Sequence, residues 1–200
     1  MDRTSQSAKV MRCRIMRAET LPDILQTNLR LLSVGLNPSL PSVAAGFYFA
    51  NPRNRFWTAL NTSSLLSEPV SPGPGSMQQL LEREGLGFTD LIKRPTRGAS
   101  ELRAQDYRQG APDLRVLIEH YQPQYAWFHG KLAYKNFIRY GGMDTDGDDW
   151  GLQRHRIGET RIFVTPNPSP ANAAYSLSDL VTWYNRLVFC RVSVTDEYGS

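Results

Sequence analysis

Two side chains in this chain have the types and settings that chemistry on a neutral bond would need. Asn37 sits in Gly35-Leu36-Asn37-Pro38-Ser39, and Asp90 in Gly87-Phe88-Thr89-Asp90-Leu91-Ile92. An amide takes no proton at neutral pH, but its oxygen accepts hydrogen bonds and its NH2 donates them. A carboxylate can activate water by accepting its proton. Both residues also have plainer accounts. Asn-Pro favours turns for local backbone reasons. An acid at the end of a central strand is costly to bury unpaired, so a salt bridge from Asp90 to Lys93 or Arg94 would explain it structurally. A third group is Phe49, twelve residues after Asn37 in an aromatic-rich loop that runs to Trp57. It supplies a π-face, or it is an ordinary core aromatic.

The elements that must hold these groups follow from periodicity. Leu31–Leu36 is an apolar run ended by a turn signal, as expected for a strand buried on both faces. Further strands are expected at residues 87–92, 125–129 and 161–165. Helices are expected over 21–29 as a lead-in, 55–64 capped by Asn54, 77–84, 112–121 with Pro112 in its first turn, 132–140 and 177–189. The tract Pro69–Ser76 reads as a surface loop, and Gly141–Gly151 as an acidic, turn-rich excursion. Strands alternating with helices imply βαβ units, hence an α/β fold: a three-layer α/β/α sandwich on a short, mostly parallel central sheet. In such a sheet the loops after the four strands, at Asn37, Asp90, His129 and Asn167, lie along one edge. That is where open α/β sheets bind their ligands.

The chain has 200 residues, enough for one domain with a full core. We expect a loose basic arm over 1–20, one domain over 21–190 and a tail over 191–200. The net charge of +4 permits a polyanionic partner without requiring one. Its distribution says more: Lys93, Arg94 and Arg97 flank the loop that follows Asp90. Cys13 and Cys190 form no metal or disulfide spacing, which points to a reducing, cytoplasmic setting. No apolar run approaches the roughly 18 residues of a membrane helix. His120, His129 and His155 show no metal spacing and read as structural or surface residues. The G-x-x-x-x-G-K-[ST] and G-x-G-x-x-G fingerprints of nucleotide binding are absent.

Several separated motifs occur in an order that resembles the mismatch-specific uracil-DNA glycosylases, bacterial relatives of thymine-DNA glycosylase. They are Gly35-Leu36-Asn37-Pro38, Phe49-Ala50, Asn54-Arg55-Phe56-Trp57, Arg94-Pro95-Thr96, Gly130-Lys131 and Asn167-Pro168-Ser169. The resemblance spans roughly residues 21–189. It implies that Asn37 positions the water that attacks the sugar C1′, with Asp90 as a second catalytic candidate that activates water or stabilises an oxocarbenium-like sugar. It implies a base pocket of Leu36, Pro38, Ser39, Ser42, Phe49 and Asn167, in which Phe49 stacks on an extruded base. DNA contacts are then expected from Arg94, Arg97, Lys131, Ser169, Pro170, Ala171 and Asn172.

The implied partner is DNA, duplex with uracil or mismatches or else single-stranded, handled by a monomer with no cofactor, no metal and no membrane. Where such relatives continue Gly-Leu-Ser-Arg, this chain has Pro170-Ala171-Asn172-Ala173. Pro170 has no N–H to donate and Ala171 is a poor wedge, so weak discrimination of the opposite base is expected. A non-catalytic module for damaged or single-stranded DNA on the same scaffold is the alternative.

Overall fold

The computed structural model describes residues 20–144 and 149–192, with side chains to 188. Residues 1–19 of the expected basic arm, residues 145–148 of the acidic excursion and residues 193–200 of the expected tail lie outside the described residues.

The elements in chain order are β1 (Leu31–Gly35), α1 (Leu40–Ala45), α2 (Phe56–Thr62), α3 (Pro74–Glu84), β2 (Leu86–Asp90), α4 (Ala104–Tyr121), β3 (Tyr125–His129), α5 (Lys131–Tyr140), β4 (Gly151–Ile157), β5 (Thr160–Thr165) and α6 (Leu177–Val192). The sheet order is β2-β1-β3-β5-β4. The first four strands of that order run parallel, and β4 pairs antiparallel to β5 at the edge.

Side chains alternate across the strands, so each face carries its own core. Leu31, Phe88, Trp127 and Phe163 pack beneath α2, α3 and α6 through Phe56, Leu80 and Tyr184. Leu32, Val34, Phe128 and Val164 pack beneath α4 and α5 through Ile118 and Phe137. The expected three layers are therefore present.

The structure differs from these expectations in five places. A short helix, α1, follows β1, where Ser39 caps it and Pro41 sits in its first turn. Helix α3 begins at Pro74, so the last residues of the expected Pro69–Ser76 loop are helical, with proline at the first helical position. A fifth strand, β4, follows the acidic excursion. Its Leu152, Arg154 and Arg156 are exposed, as suits an edge strand protected by charge. The lead-in is not a helix. Ile24 instead exchanges two 2.9 Å backbone hydrogen bonds with Phe88, covering the open edge of β2. Gly87 makes this possible, since a Cβ there would lie 2.6 Å from the Ile24 carbonyl. Helix α4 starts eight residues before Pro112, where the Arg103 N–H donates to Asp106 Oδ2 at 2.7 Å. Pro112 and Arg108, whose carbonyl the proline leaves unpaired, are both on the exposed side.

Candidate active site at the carboxyl edge of the sheet

The register brings Asp90, Gly35, His129 and Thr165 level with one another across four adjacent strands. Above them opens a cavity of about 180 Å³. Its lining includes Leu36, Asn37, Pro38, Ser39, Ser42, Phe49, Asp90, Arg97, His129, Asn167 and Ser169. The two catalytic candidates and all six expected pocket residues thus meet at one place.

Asn37 is fixed by its NH2. Nδ2 donates to the Arg94 carbonyl at 3.0 Å, to Thr96 Oγ1 at 2.8 Å and, more weakly, to the Pro38 carbonyl at 3.3 Å. Two of these partners are carbonyls, which only accept, so the amide has one workable orientation. Its NH2 is therefore spent, and Oδ1 is the atom left to offer. The β1 loop and the loop after β2 run side by side here. Ile92 N–H donates to the Leu36 carbonyl at 3.0 Å and Thr96 N–H to the Pro38 carbonyl at 3.1 Å.

Asp90 is 4% exposed, and its Oδ2 has no hydrogen-bond partner among the described residues. The anticipated salt bridge is absent, because both cations are engaged elsewhere. Lys93 Nζ donates to Asp23 Oδ1 at 2.5 Å and to Thr89 Oγ1 at 2.6 Å. Arg94 grips Asp106 with two hydrogen bonds, at 2.9 and 2.7 Å. Burial raises the Asp90 carboxyl to about 7, and nearby Lys93 only partly offsets it. Gly35 makes room for this group: a Cβ at 35 would lie 2.1 Å from Asp90 Oδ1.

Phe49 adopts a left-handed backbone conformation, φ +58°. That is costly for an aromatic residue, by about 1–3 kcal/mol, and is found where surrounding structure enforces it. Here the enforcement is visible. Ser39 caps α1 by accepting from Ser42 N–H at 3.3 Å, and Ser42 Oγ accepts from Ala50 N–H at 3.2 Å, drawing the Phe49 loop back over the sheet. One face of the Phe49 ring stacks on Phe56, with centroids 4.0 Å apart. The same ring lines the cavity.

His129, expected from its spacing to be a structural or surface residue, lines the cavity. It is 2% exposed, and its ring lies edge-on to Phe49 at 5.1 Å. Nε2 shares a 2.9 Å hydrogen bond with Ser33 Oγ, while Nδ1 has no partner among the described residues. Burial lowers its pKa to about 3, so the ring is neutral at working pH. The signal that would have found it is the one used for Asp90: a polar residue at the carboxyl end of an otherwise apolar strand.

The loop after β5 is rigidly held. Asn167 Oδ1 accepts from Ser169 N–H at 2.8 Å, and Asn172 Nδ2 donates to the Asn167 carbonyl at 2.9 Å. Arg55 spans the loop from behind, donating to the carbonyls of Pro168, Ser169, Asn172 and Tyr175. Pro170 and Ala171 are exposed on this loop. Of the expected phosphate-binding cations, Arg97 is exposed on the cavity rim. Arg94 is committed to Asp106, and Lys131 lies over the Trp150 ring at 4.8 Å.

Two comparisons bear on this arrangement. The family model of the uracil DNA glycosylase superfamily matches residues 22–188. The fold is similar to the solution NMR structure of a candidate uracil DNA glycosylase from Methanosarcina acetivorans. The TM-score is 0.56 at 19% identity, covering 85% of this chain and 98% of that one.

Proposed function

Because the chain belongs to the uracil DNA glycosylase superfamily, we propose that it is a monofunctional, mismatch-type DNA glycosylase. It flips uracil, and thymine or other damaged bases in mismatches, out of DNA and hydrolyses the N-glycosidic bond to leave an abasic site. The observation that carries this reading is the pairing, in one cavity, of a buried carboxyl with one oxygen unpartnered and an amide whose NH2 is engaged while its oxygen is not.

A base inside a duplex is out of reach, so the target nucleotide must leave the stack at a cost of a few kcal/mol. The Phe49 ring, which lines the cavity, receives the base. Asn37 Oδ1 accepts a hydrogen bond from a water and orients it toward C1′. Asp90, in its ionised form, takes that water's proton or stabilises positive charge developing on the sugar. The oxygen of water bonds to C1′, the C1′–N bond breaks, and the electron pair leaves with the base. A carboxyl held near 7 is well matched to accepting a proton at neutral pH. Among the described residues no lysine lines the cavity to serve as an amine nucleophile, which favours hydrolysis over lyase chemistry in this reading.

The loop from Asn167 to Asn172 and the exposed Arg97 face the duplex in this reading, and the enzyme works as a monomer. With Pro170 and Ala171 on that loop, uracil opposite G and uracil opposite A are cut at rates within about 10⁴ of each other, a span of roughly 5.5 kcal/mol.

The test is a panel of labelled oligonucleotides: uracil opposite G, uracil opposite A, thymine opposite G, and single-stranded uracil. Alkali-labile breaks at uracil are the expected result. A mobility shift of uracil duplex with no alkali-labile site would instead identify a binding module.

A further inference from the structure

The amide of Asn37 is held by the side chain of Thr96. Thr96 is 3% exposed and sits on the loop after β2. Its Oγ1 accepts from Asn37 Nδ2 at 2.8 Å and donates to the Gly98 carbonyl at 3.0 Å. Its backbone N–H donates to the Pro38 carbonyl at 3.1 Å, and Ser39 and Thr96 form a parallel bridge. The hydroxyl has one proton, and Gly98 takes it. The lone pair presented to Asn37 therefore meets a donor only if the amide shows its NH2 side.

We propose that Thr96 is a positioning residue for the reaction: its hydroxyl locks the Asn37 amide with Oδ1 free for water. The inference rests on the reading of Asn37 as the group that holds the attacking water. It also gives the basic loop a second job. The same short segment supplies Arg97 at the rim and both the Arg94 carbonyl and the Thr96 hydroxyl that orient the amide. A phosphate contact that moves this loop therefore moves the water-holding atom as well.

Valine has the shape of threonine without the hydroxyl. In Thr96→Val the Asn37 NH2 keeps the Arg94 carbonyl, loses its shortest bond and gains rotational freedom. Single-turnover excision of uracil should fall by about tenfold, the worth of one orienting hydrogen bond. The dissociation constant for uracil duplex should stay within about twofold of wild type, since the hydroxyl touches no DNA in this reading. Thr96→Ser keeps the oxygen and should restore most of the rate.

The decisive measurement is a double-mutant cycle with Asn37→Ala. Once the amide is gone, Thr96→Val should change the rate by less than about twofold, because nothing remains for the hydroxyl to orient. An equal loss in both backgrounds would make Thr96 merely structural and overturn the proposal, as would a full-rate Thr96→Val. If Thr96→Val does not fold, Thr96→Ala takes its place in the same cycle, with melting curves alongside. The two readings fail separately. Asn37→Ala at full rate sinks the role of Asn37, and this inference with it. A slow Asn37→Ala beside a full-rate Thr96→Val sinks this inference alone.

Discussion

Asp90 and Asp106 stand at opposite ends of one loop, the first closing β2 and the second in the first turn of α4, and the protein treats them in opposite ways. Asp106 is partly exposed and fully paired. Arg94 grips both its oxygens, the Arg103 N–H adds a third bond, and its pKa falls to about 2. Asp90 is buried with one oxygen unpartnered, and its pKa rises to about 7. Two cations lie within four residues of Asp90 in sequence, and both are tied to other acids. The loop satisfies the carboxylate that shapes it and leaves unsatisfied the one that faces the cavity. A fold optimised for stability alone would do the reverse, because an unpaired buried carboxyl costs free energy that an exposed pair does not recover.

The largest effect expected from this contrast is on rate. Asp90→Asn should slow single-turnover excision by at least about 10², within the usual range for loss of a general base. DNA affinity should barely change. A full-rate Asp90→Asn enzyme would make the carboxyl a structural oddity and leave Asn37 as the only catalytic residue.

Next in size is the pH profile. If Asp90 works ionised, excision should fall by about tenfold per pH unit below about 7 and level off above it. The limb should vanish in Asp90→Asn. A limb that survives in the variant belongs to another group.

Stability gives a third, smaller readout. The folded pKa of Asp90 lies above its unfolded value, so native protein holds a proton that unfolded protein releases. Its contribution is fully present below the unfolded pKa near 3.8 and is lost as pH rises through about 7. Wild type should therefore lose ground to Asp90→Asn between those values and run parallel to it beyond, with a gap of at most roughly 4 kcal/mol. Thermal melts of both proteins across that range decide it, and a constant gap would contradict the burial argument.

The smallest effect belongs to the other carboxylate. The pKa of Asp106 is depressed, so its stabilisation is present above 3.8 and disappears as pH falls through about 2. Because the pair is partly solvated, Asp106→Asn should cost about 1 kcal/mol or less at neutral pH. Excision per folded molecule should be unchanged. A large loss of rate would show that the Arg94 grip carries the Asn37 orientation through the Arg94 carbonyl, tying the two acids together.

Much of this was legible in the sequence for a physical reason. Strands buried on both faces are continuous apolar runs, so β1, β2, β3 and β5 could be read, and their carboxyl ends located the cavity. Strand β4 could not be read so, because an edge strand protected by Arg154 and Arg156 resembles a polar loop. The pairing of the cations was illegible for another reason. Lys93 follows Asp90 closely in sequence, but alternation along the strand puts Thr89 on the other side, and Lys93 turns to Thr89 and Asp23. Metal spacing says nothing of His129, whose place at the carboxyl end of β3 is what puts it on the cavity. The Arg55 clamp joins residues more than a hundred positions apart, which no local pattern reports.

The missing side chain at Gly35 sets a rule on how this protein can change. Asp90 Oδ1 occupies the space where a Cβ at 35 would sit. While the acid is present, even alanine at 35 must displace it, so the two positions cannot drift independently. A lineage moving to a different chemistry has to give up the acid first and fill position 35 afterwards. The opposite order passes through a protein whose cavity floor no longer fits together.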